Sequence, residues 1–380
     1  MRGTTISGNF IAVKSVNMSS DRIRIGLAGC GLIGTMHAAA LRMCADRLGL
    51  PIELASVSDT EPERAKRFQD VFGFRQCADD PLKMAGSKDI DALYVCTWTS
   101  EHHPLVSAAA SAGVHVFCEK PLAFTAEEAG AMQKEVEDSG VTNQVGLVLR
   151  QAPVWNVLRE EAKKEGPGFH ITTIFRDDQC FPIKGAHPSE WRKDAPKAGR
   201  GAIIEHSIHD LDLLEWIFGT VTSVSARMEY RFGHHPVEDL GVVELSFQSG
   251  MRASLFSIWH DVLNRHSNRR MEVFREKSYL AVESEFTGPL DIMEKEGEMR
   301  TVPEDKVNER FWEIREIEEP ELREASTIFG VYQDYLFVKS ILDGKGYGPD
   351  FGVAKRAHDL VDACYLSDET GSPVEVGQAS

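Results

Sequence analysis

Gly29, Gly31 and Gly34 stand at G-x-G-x-x-G spacing in the stretch Gly29-Cys30-Gly31-Leu32-Ile33-Gly34. Apolar residues at 23, 25 and 27 predict a buried strand before it, and residues 35–48 read as the helix that follows. In that setting the first glycine permits a tight turn and the second lets backbone approach a pyrophosphate closely. The third lets the helix pack against the strand. The free N–H groups at the helix start would then hold the phosphates. Residues 52–58 read as a second strand ending at Asp59, thirty residues after Gly29. Its carboxylate can accept hydrogen bonds from adenosine ribose hydroxyls. The next basic residue is Arg64. Nothing immediate is ready to hold a 2′-phosphate, so the pattern favours NAD over NADP.

A second set of reactive residues lies in 199–219. Ile204, Ile208, Leu211 and Ile217 mark one apolar helix stripe, and Glu205 and His209 are four apart. On a regular helix they share a face, where the carboxylate would orient the imidazole and raise its pKa, as suits a proton acceptor. His206 points to another side by the same geometry but stays near the site. Trp191, Arg192, Lys197 and Arg200 precede this helix, and Asp177 and Asp178 follow a strand end. These are candidate substrate contacts. Glu205, His206, His209, Asp210 and Asp212 look like metal ligands at first sight. They spread around the helix, however, and the two histidines are three apart rather than four, so no metal is expected.

The elements that carry these groups alternate. Helices are predicted at 61–72, 80–85, 103–112 and 125–138, and strands at 92–97, 114–118 and 144–149. Thr125 and Glu128 form a capping box at the start of the last helix. This alternation predicts a doubly wound parallel sheet, an α/β fold whose ligands sit beyond the carboxyl ends of the strands. Thr97, Trp98, Thr99 and His102 follow one such strand end, and Glu119, Lys120 and Pro121 follow another. A crossover helix is expected at 150–164 and a turn at 166–168. Strands follow at 169–176, 221–232, 240–247, 253–260, 271–274 and 278–282. They predict a second, α+β domain with an open, mostly antiparallel sheet. Residues 304–324 read as a charged, exposed segment, with helices at 326–342 and 350–366. The expected division is a flexible arm at 1–21, a dinucleotide-binding domain at 22–150, and a substrate-binding and oligomerisation domain at 151–380. Met1 and Met18 are both possible starts.

Composition narrows the class. The 380 residues suit two domains, and the net charge of −17 disfavours nucleic acid and anionic membranes as partners. Seven scattered cysteines form no C-x-x-C pair, which fits reduced thiols in a cytoplasmic protein. No apolar run reaches transmembrane length, and the first 21 residues lack the core of a signal peptide.

A strand ending in Thr97-Trp98-Thr99-Ser100-Glu101-His102, followed by one ending in Glu119-Lys120-Pro121, resembles the glucose–fructose oxidoreductase / inositol dehydrogenase (Gfo/Idh/MocA) family. The resemblance runs from about residue 23 to 376. It implies that Lys120 lies beside the nicotinamide and the reacting hydroxyl, often with a cis peptide before the proline. It also implies that His102 and Arg150 contact the cofactor, and that a C-terminal helix at about 350–367 returns to the first domain. The family's Gly-Gly-x-x-x-Asp-x-x-x-His helix corresponds to 200–209, with Glu205 in place of the usual Asp and Ser207 in place of a common Gly. The usual Thr-Pro-Asn is Thr97-Trp98-Thr99 here. By this resemblance the chain oxidises a secondary hydroxyl of a sugar, cyclic polyol or sugar derivative with NAD. His209 would take the proton, assisted by Lys120, and the open sheet face would form a homodimer or homotetramer. Two alternatives stay open: a redox-neutral cycle that oxidises, eliminates or hydrolyses, and reduces again, and a silent nucleotide or sugar sensor.

Overall fold

The computed structural model describes residues 22–164, 170–181, 189–262 and 264–377. The arm at 1–21, the choice of start and the turn at 166–168 lie outside the described residues, as does the expected strand start at 169.

The first sheet holds β1 (Ile23–Ala28), β2 (Ile52–Ser58), β3 (Gln76–Cys77), β4 (Ala92–Val95), β5 (His115–Cys118) and β6 (Asn143–Val145). Its order is β3-β2-β1-β4-β5-β6, and every pairing is parallel. β4 and β5 are buried along their full length, because helices cover both faces of the sheet. Tyr94 and Phe117 stack between them at 4.9 Å. The covering helices are α1 (Leu32–Asp46), α2 (Pro62–Phe72), α3 (Pro81–Ala85), α4 (His102–Ala112) and α5 (Ala126–Ser139). Thr125 caps α5, accepting the Glu128 N–H at 3.2 Å, while Glu128 accepts the Phe124 N–H. The strand order reverses between β1 and β4, which opens a crevice at their carboxyl ends.

The second sheet has nine strands: β7 (His170–Cys180), β8 (Val221–Glu229), β9 (Leu240–Phe247), β10 (Arg252–His260), β11 (Asn268–Arg275), β12 (Ser278–Glu283), β13 (Leu290–Glu294), β14 (Arg300–Val302) and β15 (Val374–Glu375). Their order is β14-β13-β12-β11-β7-β10-β9-β8-β15; β7 and β10 run parallel and the other neighbours antiparallel. One face packs Phe175, Val243, Leu245, Leu255 and Met271 against α6 (Pro153–Lys163) and α8 (Ile208–Phe218). The other face leaves Ile174, Phe256 and Phe274 exposed. The short helix α7 (Ala195–Ala198) precedes α8, and a five-residue π-helical turn, Ile203–Ser207, leads into it.

Three features depart from the sequence reading. Residues 304–324 are not a purely exposed charged segment. They form α9 (Glu304–Ile314) and α10 (Pro320–Ser326), with Val307, Phe311, Ile317 and Leu322 buried. These few apolar residues suffice for a buried stripe that the dense charge conceals. Next, α11 (Val331–Asp343) starts later than expected, after Gly330 in a left-handed conformation (φ 84°). Finally, β13, β14 and β15 extend the sheet at both edges. The last helix, α12 (Phe351–Thr370), touches both sheets: its backbone starts on Asn143, its Asp362 accepts the Ala126 N–H, and it packs on β8.

Candidate active site

β1 delivers the chain to the Gly29 turn, and α1 carries it away. Gly29 has φ 99°, and a Cβ there would stand 2.4 Å from the Cys96 carbonyl oxygen. A Cβ on Gly34 would stand 2.0 Å from the Gly29 carbonyl oxygen. Both positions therefore require glycine for close packing at the sheet's switch point. Gly31 differs, for nothing lies within 4 Å of its ideal Cβ position. It borders open space at an α1 N-terminus that has no side-chain cap. The N–H groups of Leu32 and Ile33 at this end are available to an anion. Asp59 sits beside them, accepting the Cys30 N–H at 2.7 Å and the Glu61 N–H at 2.9 Å. Arg64 folds back to 3.7 Å from Asp59 but is engaged by Glu61 at 2.6 Å. Gly31, the α1 terminus and Asp59 thus fit a dinucleotide.

The loop after β4 is organised differently from expectation. His102 is buried with Nδ1 3.0 Å from the Pro121 carbonyl oxygen and Nε2 3.3 Å from that of Thr97. It braces the loop beneath Lys120 and does not line the active-site cavity. Burial lowers its pKa, although the carbonyl contacts oppose this. Thr99 is buried, the Thr97 hydroxyl is spent on the Trp98 carbonyl, and the Trp98 ring lies 4.6 Å from the Lys197 ammonium. Arg150 is likewise engaged by protein groups. Asp212 of α8 grips it through two hydrogen bonds, 2.8 and 2.7 Å, so it joins the short turn Val148–Gln151 after β6 to the second sheet's helix layer.

A cavity of about 250 Å³ begins at Ile33 and Met36 of α1 and ends among polar groups of the second sheet. Glu119, Lys120, Arg192, Glu205, His206 and His209 line it, so three elements distant in sequence converge there. The Lys120–Pro121 peptide is cis. Lys120 Nζ donates to the Glu205 carbonyl oxygen at 2.6 Å, and desolvation lowers its pKa. Trp191, Asp177, Asp178, Lys197 and Arg200 are absent from the lining. Trp191 supports Arg192 from behind, with ring centroid and guanidinium 4.7 Å apart. Asp178 is occupied by Arg265 at 2.6 and 2.8 Å, and Arg200 by Glu369.

The expected Glu205–His209 dyad is not formed. Glu205 accepts from Arg192 Nε at 3.1 Å, and its Oε1 is buried without a partner. His209 Nδ1 is likewise buried and unpartnered. The π-turn explains the separation: its wider i→i+5 winding puts residues four apart out of phase. The pKa of His209 moves opposite to the sequence expectation. Burial, and then the charges of Lys120 and Arg269, lower it well below the ordinary histidine value. His206, expected to point elsewhere, lines the cavity with Nδ1 2.6 Å from Gln179 Oε1 and Nε2 3.2 Å from Asp177 Oδ1. Burial and surrounding cations depress its pKa also, while burial raises that of Asp177. Asp177 therefore stands one layer behind the cavity, accepting the Ser207 hydroxyl through Oδ2 while its Oδ1 faces His206 Nε2 with no hydrogen bond between them. Among the described residues, no group of three His, Cys, Asp or Glu side chains is placed to hold a metal ion.

Sequence reasoning missed several lining groups. His37 of α1 is buried, with Nδ1 2.9 Å from both Asp334 carboxylate oxygens and Nε2 3.0 Å from Glu119 Oε1. Burial pushes its pKa down, but Asp334 and Glu119 more than offset this and raise it to about 10. Glu119 uses its other oxygen to accept the Lys120 N–H at 3.1 Å. A Cβ on Gly146 would stand 2.3 Å from that carboxylate, so a larger residue there would displace Glu119 from its present contacts. Arg269, buried on β11, donates to Asp210 at 2.7 Å and to Glu285. Gln179, Trp259 and Phe329 complete the wall. Only His37, three residues past the glycine motif, offered any local signal.

Comparisons with known proteins agree with this architecture. Residues 23–147 match the model of an oxidoreductase family with an NAD-binding Rossmann fold, and residues 161–281 match the GFO/IDH/MocA C-terminal domain. A myo-inositol 2-dehydrogenase of Thermotoga maritima is 28% identical, the match covering 67% of this chain and 73% of that protein. An inositol 2-dehydrogenase of Rhizobium meliloti is also 28% identical, over 77% of this chain and 84% of the relative. A levoglucosan dehydrogenase solved in complex with NADH and levoglucosan superposes with a TM-score of 0.81 at 21% identity. That match covers 94% of this chain and all of the other, and it speaks for the fold. With both of its domains matched in order, the chain belongs to the Gfo/Idh/MocA family of oxidoreductases, built on an NAD-binding Rossmann fold.

Proposed function

We propose that this protein is an NAD-dependent dehydrogenase that oxidises a secondary hydroxyl of a sugar, cyclic polyol or sugar derivative. The observation that carries the reading is the continuous cavity that runs from α1, beside the glycine turn, to Lys120 and His209. A substrate hydroxyl in that space meets the proton-handling groups and the nicotinamide end of the crevice together. The inositol and levoglucosan dehydrogenases among the relatives support this substrate class.

The Gly29–Gly34 turn, the α1 N-terminus and Asp59 would hold the dinucleotide, which when bound supplies hydride acceptance at the nicotinamide. His209 is neutral near pH 7 because burial and two neighbouring cations depress its pKa, so it is ready to take the hydroxyl proton. Lys120 is fixed by the Glu205 carbonyl and stabilises negative charge as it develops on the same oxygen. Glu205 does not tune His209 in this scheme. Its carboxylate lines the cavity, steadied by Arg192, and would accept a neighbouring substrate hydroxyl. His206, held by Gln179 through Nδ1, offers a further hydroxyl contact. Holding these groups against one C–H/O–H pair supplies most of the rate.

In the same reading, residues 22–150 bind the cofactor and 151–380 bind the substrate and a second subunit. The exposed apolar face bearing Ile174, Phe256 and Phe274 supports a homodimer or homotetramer. Seven cysteines, none paired with another, support a cytoplasmic location. No helix among the described residues is long and apolar enough to cross a membrane.

The test is absorbance of NADH while protein and NAD are mixed with inositols, sugars and anhydrosugars, repeated with NADP. A rise with one class and NAD is expected. Silence across the panel, with no NAD bound, would sink the proposal.

A further inference from the structure

A second cavity, about 390 Å³, shares no lining residue with the active site. Three guanidinium groups converge on it: Arg150, Arg159 and Arg315. Asp212 neutralises the first. The other two form no ion pair among the described residues. Arg159 donates Nε to the Trp216 carbonyl at 2.9 Å and lies 4.4 Å from that indole's ring centroid. Arg315 donates to the Arg150 carbonyl and to Gln151 Oε1, both at 2.9 Å, and its Nε is buried with no partner. Two carboxylates also line the space, but both are engaged. Glu160 accepts from Lys163 at 2.6 Å, and Asp350 caps α12 by accepting the Val353 N–H.

Part-buried cations that share a pocket repel one another, and an anion placed between them relieves that repulsion. Burial pushes the pKa of Arg159 down against the pull of the neighbouring Glu160 carboxylate, with Arg150 and Arg315 adding repulsion, and burial lowers that of Arg315. In a chain with 59 acidic and 42 basic residues, two guanidiniums with no carboxylate in ion-pair contact among the described residues run against the composition. Their planar forks suit tetrahedral oxyanions. We propose that this cavity binds a small multivalent oxyanion, either inorganic phosphate or the phosphate of a phosphomonoester. Its walls come from α6, the end of α9 and the turn 347–350, and that turn is tied to β6 by a hydrogen bond from Val145 N–H to the Pro349 carbonyl. An anion there would bridge the crossover between the two sheets and raise the melting temperature.

Inorganic phosphate is titrated calorimetrically into the full-length protein at pH 8 and constant ionic strength, with chloride as the balancing anion. Saturating NAD keeps phosphate from the glycine turn. Glycerol phosphate is titrated in parallel. Saturable binding with one site per chain is expected, weakened about tenfold or more by Arg159→Gln and by Arg315→Gln, the loss of one charge-assisted contact. Phosphate binding more tightly assigns the site to the free ion, and glycerol phosphate binding as tightly or more so assigns it to an ester. If Arg315→Gln fails to fold, Arg159→Gln alone decides. Neither variant should alter NAD affinity. Absence of saturable heat above the chloride control, or binding untouched by Arg159→Gln, would overturn the proposal.

Discussion

Replacing His37 by Gln removes the cation held between two buried carboxylates, and its effect has a defined pH signature. The folded-state pKa of His37 is about 10, against about 6.5 for an unperturbed imidazole. A raised pKa means that the folded state binds the proton more tightly than the unfolded chain. The contribution is fully present below pH 6.5 and is lost as pH rises towards 10. At about 1.36 kcal/mol per unit, the difference amounts to on the order of 5 kcal/mol, at the upper end of the cost of breaking a buried ion pair. The glutamine amide cannot titrate, so across pH 7–10 the gap in unfolding free energy between wild type and His37→Gln should shrink by about 3–4 kcal/mol. Urea unfolding at half-unit pH steps measures this directly. Asp334→Asn should lower the midpoint of the wild-type decline, since one of the two stabilising carboxylates is gone. A gap that stays constant from pH 7 to 10 would refute the reasoning, because His37 would then be neutral in the folded protein.

Three further expectations follow from the site. Lys120→Ala and His209→Ala should each lower turnover by about two to three decades without changing the unfolding midpoint by more than a few degrees; retained turnover in either would remove its assigned role. The acid limb of the kcat/KM profile should lie well below pH 6.5, since activity requires neutral His209 and its pKa is depressed. In Lys120→Met, which lacks one of the opposing charges, an NMR titration of His209 should show its pKa moving up. Gly31→Ala should leave stability nearly unchanged while abolishing tight NAD binding. Gly34→Ala should lose stability as well, by about 1–3 kcal/mol, because its Cβ meets backbone at 2.0 Å. Equal stability losses in the two variants would contradict the distinction.

What can be read from residues alone is what depends on local spacing. The glycine turn, Asp59 at the end of β2 and the Thr125 capping box are each set within a few residues of one strand or helix, and each is found in place. Lys120, Glu205, His206 and His209 meet in one cavity, in keeping with the resemblance for Lys120 and His209. The relation between Glu205 and His209 is not legible this way, because regular helical phase does not carry through a turn that is π-helical. The resemblance assigns His102 and Arg150 to the cofactor; what residues alone do not show is that their hydrogen bonds also hold a loop and a helix. His37 cannot be paired with Asp334 by any pattern, since 297 residues separate them and only the packing of α1 on α11 brings them together. The buried stripe of α9 escapes for a different reason: two buried apolar residues, Val307 and Phe311, among many charges give a weak periodic signal but a full hydrophobic contact.

The central claim is that a carbinol hydrogen leaves the substrate as hydride at this cavity. It is tested most directly with a substrate from the panel deuterated at the oxidised carbon, followed by mass analysis of the reduced dinucleotide. The account predicts one deuterium in the NADH formed, and a large loss of its formation in His209→Ala. Reduced dinucleotide without deuterium, or deuterium returned to a product with no net NADH, would contradict it.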